Sequence, residues 1–545
     1  MKSLTNDEKK EIAVRILVCV CLLIAAVILF LFWTKKKEVW FCDEIYTYES
    51  ANGIPEGSWP HENLNQWVSG DTVKAYFAAD LGELRFRNIE INLYGDHVPL
   101  YFWIFRAVSV WFFRGSASVW IGLSINLFFY IFSICIVYFF LSKEMKPYWS
   151  ALAIFLILIL NRVGIDHFTV LRMYMMMLWD DLILLFLGFG IIKKLEKEKL
   201  SIPYFVGLYF VTLIGLLTHY DYWIFYAITA TANCIFLLVK IILSIRKKEK
   251  KVFWSPNAKA FYLWCLTFGL ALFTVDRLFP YWKWNLHKGK GASALATLSG
   301  ISREKIDNIL WGYRSLSEFV FGKYLPWILG AVICFAVVIA ALILLKKQKK
   351  DYPFLFLLLS LVISQLYQIA VCFTLPDQRE DRYLWAGFVV FELCMAYSIF
   401  VILETALKNI KIRIVAGILI CVCFLVLNIL NIDGGRNVAY LFYEDKDVAV
   451  LNEHKDIPWV VYGPICGVYS YYDWLIPDRI CFVSPDKTDA DRESLSELAK
   501  YDSFILYAHE AYEEDAVEFI NEINGTDFDS DYLTKSTNLS VYLVK

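Results

Sequence analysis

Apolar residues come in long blocks along this chain rather than in the short alternations of a soluble sheet protein. From about Ile12 to Trp33 the sequence is almost continuously apolar, enough for a helix to cross a hydrocarbon core of roughly 30 Å. Further blocks lie at 118–141, 149–161, 173–192, 203–218, 222–243, 258–275, 324–345, 353–372, 384–403 and 412–431. They predict a mainly α polytopic bundle of about eleven spans. The first block is longer than the apolar region of a secretion signal, has no A-x-A cleavage site and leads into further spans. It therefore reads as an anchoring helix over residues 1–34. The stretch near 99–114 is aromatic-rich, is interrupted by Arg106 and ends at Arg114. It is expected to lie in the interface.

Loop charge orders these blocks. Lys143 and Lys146, then Lys193, Lys194 and Lys197, then 246–251, then 346–350, then Lys408, Lys411 and Arg413 fall in every second loop. The positive-inside rule makes those loops, and the N-terminus, cytoplasmic. The outer segments are then 35–117, 162–172, 219–221, 276–323, 376–383 and 432–545. Lys35–Lys37 is basic yet falls outside, as expected of a cluster touching lipid headgroups. Four expected domains follow: the anchor, a first outer loop at 35–117 with interfacial helices, a bundle at 118–431, and an extracytoplasmic α/β domain at 432–545. In the last, Trp459–Tyr462, Ile480–Val483, Ser503–Tyr507 and Leu539–Val544 read as strands, with a helix at Glu513–Asn524. There is no internal repeat and no low-complexity tract.

Composition agrees. Of 545 residues 58% are hydrophobic, against roughly 45–50% in soluble domains. The net charge of −2 leaves no global basic field for nucleic acid. Most of the 13 cysteines sit in apolar blocks as small hydrophobes. Cys466 and Cys481 fall in the polar C-terminal region, where they either pair or stand as two buried strand thiols.

The candidate chemistry collects in the outer segments. Asp43 and Glu44 follow the first span, flanked by aromatics. Adjacent carboxylates there are costly unless something uses or pairs them. Asp96 and His97 precede the interfacial helix, either as ordinary capping or as substrate-positioning groups. Asp166, Arg172 and Tyr174 lie in the next outer segment, where Arg172 opens a span and must snorkel or meet an anion. Asp180 and Asp181 stand inside that span and are expected to face the bundle interior. Thr218-His219-Tyr220-Asp221 is a compact aromatic-polar loop. Asp377 to Tyr383 holds two arginines among acids, either a self-neutralising patch or a phosphate clamp.

In order, these segments resemble the glycosyltransferase-C superfamily, in the branch of protein O-mannosyltransferases, aminoarabinose transferases and bacterial relatives. Asp43-Glu44 is similar to the acidic motif of its first outer loop. Asp96-His97-Val98-Pro99-Leu100-Tyr101 is similar to its His-Pro-Pro-Leu-Tyr stretch, with Val98 in place of a proline. Phe113-Arg114-Gly115 and the span after it resemble its interfacial helix and second span. Leu171-Arg172-Met173-Tyr174, Thr218-His219-Tyr220 and Asp381-Arg382-Tyr383 resemble its later motifs. Where relatives carry a glutamate before Arg-Met-Tyr, this chain has Val170; either Asp166 substitutes or that role is absent. The C-terminal domain resembles no assigned module.

The resemblance implies a cell-membrane enzyme moving a sugar from a polyprenyl-phosphate donor to an acceptor at the outer face. Phosphate is already a good leaving group, so one carboxylate acting on the acceptor suffices. Asp43 is the expected base, with Glu44 as second choice. Arg382 and Arg172 are expected to hold the carrier phosphate. His219 and His97 are expected near the sugar, with Tyr174, Tyr383, Asp96 and Asp166 completing the donor site. A divalent metal is compatible but not compelled. The competing classes are a lipid-linked-sugar flippase or transporter, which favours midplane sites and repeat symmetry, and a family member without catalysis.

Overall fold

The structure is a computed structural model describing residues 5–37, 40–53, 64–79, 86–93, 97–197, 199–288, 296–297, 302–374, 379–441, 447–463, 473–484, 486–509, 512–536 and 539–545. Asp96, Asp377, Gln378 and Cys466 lie outside the described residues.

Helix α1 (Asn6–Thr34) begins at a capping box in which Thr5 accepts from the Glu8 amide and Glu8 accepts from the Thr5 amide. Cys19, Leu22, Ala26, Phe30 and Trp33 are buried at helical spacing, while Val20, Ile24, Ile28 and Leu31 on the opposite side are exposed. An apolar face on each side of one helix is what a bilayer permits, one face to protein and one to lipid.

Among the described residues, nine helices are long and apolar enough to cross a membrane. They are α1, α6 (Trp120–Glu144), α9 (Tyr174–Leu195), α11 (Tyr220–Arg246), α12 (Pro256–Leu278), α15 (Trp327–Lys347), α16 (Asp351–Thr374), α17 (Trp385–Ala406) and α18 (Ile410–Ile432). Two of the eleven expected spans take other forms. One is a pair, α7 (Pro147–Ile154) and α8 (Arg162–Thr169), bent by 57° after a π turn at Phe155–Ile159. At the bend a Cβ on Gly164 would meet the Leu158 carbonyl oxygen at 2.0 Å, so only glycine fits. The other is α10 (Ile202–Leu216), 15 residues long. It nevertheless returns along α9, because His219 just beyond it reaches ring contact with Tyr174 at the start of α9. This is a multi-pass membrane protein.

The bundle ends differ in charge. At one end Lys193 pairs with Glu144 and lies over Tyr352, Gln348 donates to Thr405, and Arg413 pairs with Glu404. The lysine-rich loops therefore gather there. The opposite end carries helices α2 (Cys42–Asn52), α3 (Gly70–Phe77), α4 (Phe86–Asn92), α5 (Leu100–Phe112), α13 (Trp282–His287) and α14 (Arg303–Phe321). With 13 residues, α5 is too short to span; its Arg106 is buried and donates to the Ala51 carbonyl at 2.7 Å. Lys37 departs from the headgroup reading. Its side chain is wholly buried against Glu44.

The C-terminal unit is a six-stranded sheet in the order β1-β3-β2-β4-β6-β5. Its strands are β1 (Trp67–Val68), β2 (Trp459–Tyr462), β3 (Ile480–Val483), β4 (Phe504–Ala508), β5 (Ser530–Ser536) and β6 (Leu539–Val544). Short helices α19 (Val448–Glu453) and α20 (Asp489–Leu495) and the longer α21 (Glu513–Asn524) complete it. Strand β2 runs parallel to both β3 and β4, and the three are buried on both faces apart from Val461, as continuous apolar runs require. The edge strand β1 comes from the first loop, with Trp67 opposite Cys481. Ser494 seals the join, donating to the Asn65 carbonyl and accepting from the Trp67 indole. The sheet is thus not built from 432–545 alone.

Cys481 is a free, buried thiol in this sheet. Burial pushes it from its ordinary 9.0 to about 12. That lowers its thiolate population at neutral pH by roughly a thousandfold, and the thiolate is the nucleophile. Cys481 is therefore expected to resist maleimide in the folded protein and to react on unfolding, as peptide mapping would read. Labelling of the native protein at the rate of an exposed cysteine would contradict this packing.

Candidate active site

Helix α2 starts immediately beyond the first span, with Glu44 accepting from the Phe41 amide at 2.7 Å to close its first turn. On a helix, consecutive residues point about 100° apart, so Asp43 and Glu44 have different surroundings. Glu44 turns inward. Its carboxylate meets the Lys37 ammonium at 2.9 Å and accepts from the Leu171 amide at 2.7 Å, with no exposed side-chain surface. Asp43 keeps a 21% exposed side chain and stands at 2.7 Å from Arg382 Nη1 and 3.9 Å from Arg172 Nη2.

Arg172 is fixed from three sides. Its Nη1 donates to the Asp43 carbonyl at 2.9 Å and to Thr47 Oγ1 at 3.0 Å, and its Nη2 lies 3.1 Å from His97 Nε2. Arg382 lies over the Phe41 and Tyr383 rings, 5.1 and 5.2 Å from their centroids. Its Nη2 reaches the Tyr383 hydroxyl at 3.4 Å. Both guanidiniums are more than nine-tenths buried. Cations held in that way beside a carboxylate form an anion-binding arrangement.

The remaining candidates close the group. The His97 and His219 rings are 6.4 Å apart, and Tyr174 lies 5.7 Å from His219 and 6.4 Å from Tyr383. His219 caps α11 by accepting from the Asp221 amide at 3.1 Å. The Leu100 amide donates to the Leu217 carbonyl, joining the His97 and His219 segments. Asp43, His97, Arg172, Tyr174, His219, Arg382 and Tyr383 thus meet at the end opposite the lysine-rich loops.

Asp166 is elsewhere. It is buried, pairs with Arg162 at 3.4 Å and accepts from the Ala439 amide at 2.8 Å. Its ion-pair and hydrogen-bond partners lie outside the Asp43 group. Asp180 and Asp181 are fully buried inside the bundle, with Thr218 donating to Asp180.

One residue not anticipated from the sequence borders the site. Tyr440 stacks on Phe41 at 3.8 Å, donates from its hydroxyl to Glu380 at 3.1 Å, and accepts from Lys37 at its carbonyl. Its backbone sits at φ 54°, uncommon for a non-glycine residue. Phe41 was legible as one of the aromatics flanking Asp43, whereas nothing near Tyr440 in the sequence marks it.

Among the described residues no group of three His, Cys, Asp or Glu side chains is placed to hold a metal ion. At Asp43 two guanidiniums supply the positive charge instead.

No family model matches the chain, and no curated protein does. Among solved structures it is similar to the Archaeoglobus fulgidus oligosaccharyltransferase in the apo form, at 12% identity and a TM-score of 0.45, over 95% of this chain and 69% of that one. It is similar to ArnT from Cupriavidus metallidurans bound to undecaprenyl phosphate, at 10% and 0.47, over 96% and 97%. A third is AglB from Archaeoglobus fulgidus with an inhibitory peptide and a dolichol-phosphate, at 12% and 0.43, over 96% and 74%. Similarity at this level leaves function to be read from the side chains.

Proposed function

We propose that this membrane protein transfers a sugar from a polyprenyl-phosphate carrier to an acceptor, with the chemistry at Asp43. The observation that carries the reading is one carboxylate set between two buried arginines at a bundle end. The lysine-rich opposite end makes that end extracytoplasmic by the positive-inside rule, where the N-terminus is cytoplasmic and the C-terminal unit outside.

The arginines bind the carrier phosphate and take up charge as the glycosidic bond to it breaks. Asp43 accepts the proton of the acceptor nucleophile as it attacks the anomeric carbon, and the leaving phosphate needs no acid. His97, His219 and Tyr174 border the place where the sugar would lie.

The test is transfer by purified protein in lipid, read as release of free polyprenyl phosphate from a radiolabelled polyprenyl-phosphate sugar in the presence of membrane acceptor. Arg382→Lys keeps the charge but loses the planar fork. It is expected to reduce turnover by about 10²-fold, in line with the loss of one charge-stabilising donor. Translocation of the intact donor with no bond cleavage would instead support a flippase and overturn the enzyme reading.

A further inference from the structure

The segment that follows α18 returns to the Arg382 side of the site. Asn437 donates to the Asn431 carbonyl at 2.8 Å, the Ala439 amide donates to Asp166 at 2.8 Å, and Lys37 donates to the Tyr440 carbonyl at 3.0 Å. Backbone bonds on either side thus fix Tyr440, which sits at φ 54°. A bulky residue keeps that conformation only where its surroundings over-determine it, and such positions gather at functional sites.

The side chain of Tyr440 meets two groups that also meet Arg382. Its ring stacks on Phe41, with centroids 3.8 Å apart and planes at 14°, and the Arg382 guanidinium lies over Phe41 at 5.1 Å. Its hydroxyl donates to Glu380 Oε2 at 3.1 Å, and that same oxygen stands 3.8 Å from Arg382 Nε. At that separation no hydrogen bond forms, and Arg382 Nε is buried with no hydrogen-bond partner among the described residues. A movement of about 1 Å would bring Glu380 into a charge-assisted bond with it. Glu380 is partly exposed, so burial does not lock it in place. Left to itself the segment 380–383 could neutralise its own arginine, and the bond from Tyr440 opposes that outcome.

We infer that Tyr440 is a positioning residue for Arg382: by engaging Glu380 it keeps that carboxylate off the guanidinium and leaves the cation's charge for an anionic ligand. The inference deepens the carrier-phosphate reading of the site and rests on it. Tyr440 acts through Glu380 and Phe41 rather than by contact with the phosphate. An arginine facing Asp43 alone keeps charge and donors for a phosphate. One clamped between Asp43 and Glu380 has two negative partners already and attracts a third anion weakly.

The test is equilibrium binding of farnesyl phosphate to the full chain in nanodiscs, for wild type, Tyr440→Phe, Glu380→Gln and the double variant, with thermal stability read beside it. Tyr440→Phe keeps the ring and its stack and releases only Glu380. It is expected to weaken binding by about tenfold, the scale of one hydrogen bond to a charged group. In the Glu380→Gln background the same substitution is expected to change binding by less than about twofold, since a released amide has no charge to set against Arg382. Glu380→Gln alone is expected to bind more tightly than wild type, which keeps the inference testable if Tyr440→Phe does not fold; weaker binding would count against it. A Tyr440→Phe penalty of equal size in both backgrounds would make Tyr440 a structural residue and overturn the inference, as would a Tyr440→Phe protein that binds like wild type. A wild-type protein that does not bind farnesyl phosphate would instead overturn the carrier reading, and this inference with it.

Discussion

Asp43→Asn is expected to reduce sugar transfer by at least about 10²-fold while leaving the folded protein as abundant as wild type. General-base assistance is worth about 10²–10⁴-fold, and the amide keeps the size and hydrogen-bonding reach of the carboxyl while losing its basicity. The argument depends on where Asp43 stands. It is the less buried of the adjacent acids, and its charge partners Arg382 and Arg172 come from two distant segments. The measurement is single-turnover release of polyprenyl phosphate, run beside size-exclusion profiles and thermal stability for each variant. Full activity in Asp43→Asn would remove Asp43 from the chemistry. Equal losses of activity and of folded protein would make it a structural residue.

Two arginines beside one carboxylate also set what binding must do. The Asp43–Arg382 contact at 2.7 Å is an ion pair, and under the proposed reaction a carrier phosphate would compete for the same guanidinium. Sharing Arg382 between carrier and base would weaken its hold on Asp43 as the donor seats. The donor would then raise the basicity of the group that acts on the acceptor. Under the proposed reaction Asp43 would be restrained as a base until the carrier is in place.

The bundle was legible because lipid imposes two simple rules, long apolar runs and positive charge on one side. Both survive folding, so the ends of the spans and the gathering of Asp43, Arg172, His219 and Arg382 followed from them. The bent α7–α8 pair was less legible, since the need for Gly164 arises only where Leu158 folds back on it. Strand β1 is two residues long and pairs with a strand more than 400 residues away, so it leaves no period to detect. The difference between Asp43 and Glu44 is of another kind. Two adjacent acids look alike in sequence, and only the packing of α2 decides which one meets the arginines. Tyr440 was hidden for the same reason, its role coming from a positive φ and a stack on Phe41.

That division between adjacent acids makes the last expectation a sharp one. Glu44→Leu is expected to destabilise the protein by about 3–5 kcal/mol, the usual cost of removing one partner from a buried ion pair. Lys37 would remain buried with its bond to the Tyr440 carbonyl, and the Phe41 and Leu171 amides would lose their acceptor. Burial already pushes Lys37 below the ordinary lysine range, with the Glu44 carboxylate opposing that shift. Lys37→Met should cost less, because Glu44 keeps two backbone amides at 2.7 Å. In both variants the amount of folded protein surviving thermal challenge should fall, while the turnover of the molecules that stay folded changes little. Asp43→Asn is expected to show the reverse pattern. A Glu44→Leu protein as stable as wild type yet inactive would move the base from Asp43 to Glu44, because a carboxylate that contributes nothing to folding would then be essential to the reaction.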